Sequence, residues 1–426
     1  MSYLETDRTP NQVSDFDNAL EATTSFAVES HLSNSVQKGD QPPLGKDAKY
    51  VGHLRVSQEK RRRVFRLQKG AAKLLDYKER VANCRWSVQR NDQPVEVHLH
   101  RKPDVKSGSF ASYYGLQTCA SVWHCPYCAR KISEVRRGEL NSLLIWARAQ
   151  GFVVLMMTLT TRHERSDSLG DQVSRLKDAK RRMRQRRDWK AMKTSGVMIG
   201  TVTATEVTHG QRNGWHTHFH ELIILNVKTQ AEGVSIIERL RDPWIVCLKA
   251  SGLDGLPDRA FQVQGASAAG TYVTKWGVAE ELTLAGEKRG RGKGRTPLQL
   301  LADTVEQDDY QAGQLWKEFA LTFKGKRQLV WSNGLRDVAG IDEISDEEAS
   351  DDGEDELLGM IDRDTWVDGG ARLRRALILE EAENTRDPGA VFRIVHDREI
   401  FDPELRNEQS LVIDDKDFHG GEVFTE

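Results

Sequence analysis

The sequence has no apolar run long enough to cross a membrane and no amino-terminal signal for secretion. A membrane-spanning helix needs about 20 consecutive apolar residues, whereas the longest apolar run here, Phe152 to Met157, has the length of one strand. The opening residues, MSYLETDRTPNQ, lack both the basic and the apolar region of a signal peptide. These absences predict a cytoplasmic protein with no membrane partner.

Cysteine is also scarce, with five residues in a chain of 426. An odd number of cysteines in a chain with cytosolic features argues against a disulfide framework and favours a metal site. Four of them lie in one region and are Cys84, Cys119, Cys125 and Cys128. Four thiolates that include a C-x-x-C pair match a closed tetrahedral zinc site, so we predict structural Zn²⁺ here. His124 is an alternative fourth ligand, and Cys247 is interpreted as a buried apolar residue.

The net charge of −2 conceals an uneven distribution along the chain. Residues 340–426 hold 27 acidic and 9 basic side chains, and residues 1–45 hold 7 acidic and 2 basic ones. The section between them, 46–339, therefore carries a net charge of +21. A section this basic indicates a polyanion as its partner.

Composition and periodicity divide the chain into regions. Residues 1–45 are polar and are predicted to be disordered. Residues 46–140 form a basic helical and zinc-binding region, and 338–426 form an acidic linker and tail. Residues 141–337 remain as the main folded region. Within these regions, the patterns predict helices over 46–81, 131–150, 169–194, 233–251 (with a break at Pro243) and 266–284, and strands over 152–161, 197–208, 215–227 and 261–263.

One stretch, GTVTATEVTHGQRNGWHTHFHELIIL, places three histidines at alternate positions of an apolar strand. Alternate residues of a strand point to one face, so His216, His218 and His220 project together. An antiparallel partner across the turn HGQRNG would put Glu206 opposite His218 and Thr208 opposite His216. Two imidazoles and a carboxylate then converge, and we predict a divalent-metal site with His218, His220 and Glu206 as ligands.

Several details of this metal site are left open by the residues. His216 lies nearest the turn and is a further, weaker candidate ligand. Mixed nitrogen and oxygen ligands suit Mg²⁺, Mn²⁺ or Zn²⁺, and a set of two histidines and one carboxylate also suits Fe(II). We expect Mg²⁺ or Mn²⁺.

A tyrosine-containing helix and two basic runs, on either side of the histidine strand, suit chemistry on a phosphate. The helical pattern AAGTYVTKWGVAEEL puts Tyr272 and Lys275 on one face, where the lysine can assist the tyrosine as a nucleophile. Two basic runs are candidates for phosphate contact, and in a section of net charge +21 we expect them to bind DNA. Their candidate residues are Lys180, Arg181, Arg182, Arg184, Arg186, Arg187, Lys288, Arg289, Arg291, Lys293 and Arg295.

In order, these blocks resemble the replication initiator (Rep) proteins of rolling-circle plasmids, which are HUH endonucleases. The strand LMMTLTTRH resembles the first family motif, GWHTHFHELIIL the second and YVTKW the third. The cysteine block TCASVWHCPYCARKI and the segment GKRQLVWSNGL also look like family blocks. The resemblance covers roughly residues 80 to 337.

The resemblance implies a fold, an activity and partners. The fold is α+β, with a largely antiparallel five-stranded HUH-type sheet and flanking helices over 141–337, preceded by the zinc-binding module. The activity is a nick in one strand at a plasmid double-strand origin, after which Tyr272 carries the 5′ phosphate and the 3′ hydroxyl primes synthesis. The partners are single-stranded and origin plasmid DNA, together with host helicase and polymerase.

The chain departs from the family pattern around the tyrosine. Many members have a lysine directly before the tyrosine and a glutamate four residues before it, where this chain has Thr271 and Ala268. The group that ends the replication cycle is therefore open, with Glu280 and Glu281 as candidates. Two alternatives are a non-catalytic, zinc-containing DNA-binding regulator and an HUH transposase.

Overall fold

The structure is a computed structural model that describes residues 45–101, 109–265, 267–270, 294–352 and 355–397. Contacts divide the chain into two compact units. Among described residues, the first unit comprises 66–81 and 120–350, and the second comprises 45–65, 82–119 and 351–397, apart from the gaps given above. In the described part of the chain, every helix is too short or too polar to span a membrane.

The described helices and strands follow one another in a mixed order. The strands are β1 (Val95–Arg101), β2 (Ser109–Tyr114), β3 (Val153–Thr160), β4 (Met198–Gly210), β5 (Gly214–Leu225), β6 (Phe261–Gln264), β7 (Leu329–Trp331) and β8 (Glu356–Ile361). The helices are α1 (Gly45–Leu74), α2 (Pro126–Ala149), α3 (Leu169–Gln185), α4 (Arg187–Thr194), α5 (Gln230–Glu238), α6 (Arg241–Ala250), α7 (Pro257–Ala260), α8 (Pro297–Gln307), α9 (Tyr310–Phe323), α10 (Leu335–Ala339), α11 (Asp346–Ser350), α12 (Arg363–Val367), α13 (Arg375–Thr385) and α14 (Pro388–His396).

The first unit is built on a five-stranded antiparallel sheet in the order β6-β3-β5-β4-β7. The predicted α+β fold with a five-stranded sheet is confirmed. The alternating side chains of β3 and β5 are apolar on both faces, so each face carries its own core. One core packs α3 and α6 under the sheet around Trp244, and the other packs α2 over it around Leu140 and Leu143.

The hairpin of β4 and β5 is closed by Gln211, Arg212 and Asn213. Gly214 begins β5 with φ of +71°, where a side chain would be strained. A Cβ at this position would also lie 2.9 Å from Cα of Arg165. Glycine therefore satisfies both the backbone conformation and the close approach at the start of the histidine strand.

The second unit contains a three-stranded antiparallel sheet in the order β2-β1-β8. One face is apolar, with Val95, Val97 and Leu99 buried, as the strand alternation requires. Helix α13 packs against β1 and β2, and Tyr113 donates its hydroxyl proton to the carbonyl of Arg375.

Several predicted elements differ from those observed; the helix over 46–81, for example, ends at Leu74. The basic helix over 169–194 is two helices, because Arg186 has extended backbone angles between α3 and α4. The break in the helix over 233–251 falls between Glu238 and Arg241, and Pro243 lies within the first turn of α6, where proline is tolerated. The acidic run expected to be a linker contains α11 instead, in which Ser350 is buried.

Candidate active site

The two strands of the hairpin pair in the register that the sequence predicted. Glu206 lies opposite His218, and Thr208 lies opposite His216. Ala204 lies opposite His220, so the small alanine leaves room beside the imidazole. Because the predicted register is confirmed, one carboxylate from β4 and two imidazoles from β5 share one face of the sheet.

The three side chains converge on a single point. Nε2 of His218 and Nε2 of His220 lie 2.9 and 3.2 Å from Oε2 of Glu206. One ligand atom from each of the three residues lies within 4.8 Å of the other two. The histidine side chains are 13% and 14% exposed and that of Glu206 is 40% exposed, so the group opens to solvent. Two nitrogens and an oxygen at this spacing fit a divalent ion that keeps further positions for a substrate.

Hydrogen bonds set the charge of Glu206 and the orientation of His220 in the triad of Glu206, His218 and His220. Burial alone would raise the pKa of Glu206, but hydrogen bonds with the two histidines hold that pKa well below its usual range. The carboxylate is therefore ionised at neutral pH, as a metal ligand must be. Oγ1 of Thr158 lies 3.0 Å from Nδ1 of His220 and orients that ring, as the outer partners of metal-binding histidines do.

His216 lies beside the triad but has different partners. Its Nε2 lies 3.2 Å from Oγ1 of Thr160, and its ring stacks on that of His163 with centroids 4.9 Å apart. Burial, with the neighbouring histidine charges, lowers the pKa of His216 to about 4. His216 is thus neutral at physiological pH and is not among the three residues that converge. No pattern in the sequence singled out His163, which follows the TLTT strand by two residues.

Tyr272 and Lys275 lie outside the described residues, as do Lys288, Arg289, Arg291 and Lys293. The residues on either side of them are described. The helical turn 267–270 contains Ala269, which is buried in the core that includes Met156, Ala204 and Leu222. By strand alternation, this is the sheet face that carries the metal triad.

Arg295, predicted to bind DNA, begins the next described stretch and pairs with the hairpin. Its backbone N–H donates to the carbonyl of His209, and the N–H of His209 donates to its carbonyl. The guanidinium lies 3.0 Å from carboxylate oxygens of both Asp303 and Asp309. The chain at Arg295 therefore pairs with the end of β4.

The six cations predicted on the basic helix have different environments. Lys180 is buried and lies 3.2 Å from Oε2 of Glu221, and Arg184 donates to Oε1 of Glu221 at 2.5 Å. Burial lowers the pKa of Lys180 to about 8. Arg181 and Arg182 both pair with Asp178. Exposed to solvent are Arg181, Arg182, Arg186 and Arg187.

Glu221 itself was not singled out from the sequence, yet it lies fully buried behind the metal triad. It follows His220 in β5 and so points to the opposite face. Burial alone would raise the pKa of Glu221, but the charges of Lys180 and Arg184 hold it below its usual range. The signal available in the sequence was a charged residue at an apolar position of HELIIL.

The predicted cysteine ligands also converge. The Sγ atoms of Cys84, Cys119, Cys125 and Cys128 lie within 4.8 Å of one another, and all four residues are buried. Cys125 occupies the N-cap position of α2, and Cys128 lies in the first turn of that helix. A buried set of four thiols fits a closed structural site for zinc. His124 lies elsewhere, with Nε2 2.9 Å from the carbonyl oxygen of Ala320.

We expect Cys128→Ser to release a bound zinc ion from the purified protein. The remaining three thiolates would no longer close a tetrahedral site, and structural zinc contributes directly to folding. Native mass spectrometry should show one zinc ion fewer per chain in the Cys128→Ser variant than in the wild type. The variant should also have a lower thermal midpoint. Cys247→Ser is the matched control, since Cys247 is also buried but lies outside the cluster. Equal zinc content in both variants would contradict the assignment.

Comparison with known proteins shows a similarity in the central part of the chain. Residues 112–238 match the Rep_1 family, described as "Replication protein". This part of the chain is therefore similar to a Rep-type replication protein domain. The matched region includes β3, the hairpin and therefore all three residues of the triad. The resemblance of the sequence to plasmid replication initiators is thereby confirmed.

Three individual relatives are similar to parts of the chain. "Protein rep" of Streptomyces lividans is 26% identical over 360 residues, which cover 65% of this chain and 78% of that protein. "Protein rep" of Bacillus amyloliquefaciens is 30% identical over 145 residues, which cover 33% of this chain and 40% of that protein. "Neomycin resistance protein" of Streptomyces cyanogenus is 27% identical over 142 residues, 28% of this chain and 32% of that protein. No solved structure matches the chain.

Proposed function

We propose that this replication protein nicks one DNA strand at a plasmid origin by metal-assisted transesterification and so initiates rolling-circle replication. The observation that carries the proposal is the triad, in which one carboxylate and two imidazoles from adjacent strands meet within 4.8 Å on an open face. Mg²⁺ or Mn²⁺ bound there would polarise the scissile phosphate. The similarity to a family of replication proteins supports DNA as the substrate.

In this mechanism the chain's own residues have separate roles. Glu206, His218 and His220 hold the ion, and Thr158 keeps the ring of His220 in place. The phenolic oxygen of Tyr272 attacks phosphorus, a new O–P bond forms, and the bond from phosphorus to the 3′ oxygen breaks. The phenolic proton ends on the departing 3′ hydroxyl, which then serves as a primer. Lys275 assists by favouring the phenolate.

Basic side chains would hold the DNA strand. Arg181, Arg182 and Arg187 are exposed along α3 and α4 and are suited to phosphate contact. The other cations proposed to bind DNA are Arg186, Lys288, Arg289, Arg291, Lys293 and Arg295. For Lys180 and Arg184 the buried contacts with Glu221 favour an internal role. Phosphate contacts release counterions, so we expect affinity for DNA to fall steeply as salt rises.

Nicking of supercoiled DNA tests the proposed function. We expect the purified protein to convert supercoiled DNA of the replicon that carries its gene into the open circular form, in the presence of Mg²⁺ or Mn²⁺. Addition of EDTA should prevent this conversion. A regulator without catalytic activity would bind the same DNA, retard it in a gel and leave it covalently closed, which would refute the proposal.

A further inference from the structure

Behind the metal triad, three charged side chains form a buried cluster in the first unit. Glu221 is fully buried, with Lys180 at 3.2 Å and Arg184 at 2.5 Å from its two carboxylate oxygens. Lys180 also lies over the ring of Phe219, 4.9 Å from its centroid. Both cations belong to α3, so this cluster, here called the Glu221 cluster, joins that helix to the strand of the metal-binding histidines.

The Glu221 cluster also contacts the other strand of the hairpin. Thr203 lies directly opposite Glu221 in the register of β4 and β5. Nζ of Lys180 donates to Oγ1 of Thr203 at 2.5 Å, and Arg184 donates to the same oxygen at 3.3 Å. The two cations therefore hold both members of one cross-strand pair. The next pair along the hairpin is Ala204 with His220.

Metal binding depends on the register that this pair defines. The triad takes Glu206 from β4 and two histidines from β5, so its ligands meet only in one alignment of the two strands. If β5 slipped by one residue against β4, His220 would point to the face that now holds Glu221, and Glu221 would point to the metal face. This follows because side chains alternate along a strand. The buried charge of Glu221 opposes such a slip, because the slip would separate Glu221 from Lys180 and Arg184 and leave these cations without their partner.

Stability alone does not explain why charges occupy this position. Removing charges from water is costly, and buried ion pairs are often replaced by apolar side chains of similar size with no loss of stability. The surrounding core is apolar, with Phe219, Ile223 and Met157 on the same sheet face. A directional contact with one cross-strand pair accounts for the charges better, because β5 carries apolar side chains on both faces and their alternation alone distinguishes its alignments weakly.

We propose that Glu221, held by Lys180 and Arg184, is a positioning residue that fixes the register of the hairpin and thereby the affinity of the triad for a divalent ion. This inference rests on the proposed function, because it takes the triad as the metal site. Glu221 acts through the strand and does not touch the ion.

The decisive experiment replaces the whole Glu221 cluster with apolar side chains. The variant Lys180→Met, Arg184→Met and Glu221→Leu keeps the approximate volume and removes all three charges. We expect its thermal midpoint to stay near that of the full-length wild type. Its dissociation constant for Mn²⁺, followed by electron paramagnetic resonance of the free ion, should rise about tenfold, as for losses of groups that orient metal ligands.

A second buried network in the same unit supplies a matched control. Glu139 lies between Arg136 and Arg336 at 2.7 and 2.8 Å, so it also pairs one buried carboxylate with two cations, although Arg136 binds Asp346 as well. It joins α2 to α10. Replacing these three residues with Leu, Met and Met should leave the dissociation constant for Mn²⁺ unchanged.

A single, nearly isosteric change covers the case in which the apolar variant fails to fold. Glu221→Gln removes the charge with little change of shape, and its dissociation constant for Mn²⁺ should also rise. An unchanged constant in the folded Glu221 variants would overturn the inference while leaving the proposed function intact. Wild-type protein that binds Mn²⁺ no better than a His218→Ala variant would instead overturn the proposed function, and this inference with it.

Discussion

Replacing His218 and His220 together with alanine should lower the rate of metal-dependent nicking about 1,000-fold. The two imidazoles supply two of the three converging ligand atoms, and a lone Glu206 cannot hold the ion. A metal ion that polarises a phosphate contributes several kcal/mol to the transition state, and each 1.4 kcal/mol corresponds to about a factor of ten in rate. The measurement is the initial rate of open-circle formation at saturating Mn²⁺.

His209→Gln is the control for this double variant. His209 lies on the same hairpin, with its ring packed edge-on against Trp215, but it is outside the triad. We expect it to nick at a rate close to that of the wild type. Nicking by the double histidine variant at the rate of the control would show that the triad is not the metal site.

Tyr272→Phe should abolish the covalent link between protein and DNA. Phenylalanine lacks the hydroxyl oxygen that forms the ester, and no other change of shape accompanies the substitution. A shift of the protein band on a denaturing gel, after incubation with labelled single-stranded origin DNA and Mn²⁺, reports the link directly. The expected result is loss of the shifted band with retention of DNA binding.

Tyr310→Phe is the matched control, because it removes the same hydroxyl group from a tyrosine that is not the proposed nucleophile. Tyr310 is 77% exposed at the start of α9. This variant should form the adduct as the wild type does. If the Tyr272 variant still formed an adduct, the nucleophile would have to be another residue.

The sequence was most informative about the metal triad. Side chains alternate along a strand with a period of two, and a short turn restricts the possible registers of a hairpin. The pairing of positions from Thr203 to Glu221 could therefore be predicted from local rules. The cysteine cluster was predictable for a similar reason, since a C-x-x-C pair supplies half of a zinc site within one turn of chain. The five-stranded sheet came from the resemblance to a family.

Features that depend on distant contacts were not predictable. Lys180 and Arg184 belong to a run of cations that are mostly exposed. Their contacts with the buried Glu221 of β5 depend on how α3 packs on the sheet, which the run itself does not show. The end of α3 at Arg186 carries no glycine or proline in the sequence. The acidic run was expected to be a linker because composition cannot show that Arg136 binds Asp346 at 2.6 Å.

The central claim, that Tyr272 attacks a DNA phosphate activated at the triad, is tested most directly by mapping the adduct. The wild-type protein is incubated with single-stranded origin DNA and Mn²⁺, digested with trypsin and nuclease, and analysed by mass spectrometry. The tryptic peptide from Ala260 to Lys275 contains one tyrosine, Tyr272. The account predicts nucleotide mass on this peptide, lost when the metal is chelated. Cleaved DNA with no nucleotide on any peptide, or nucleotide on a different tyrosine, would contradict it.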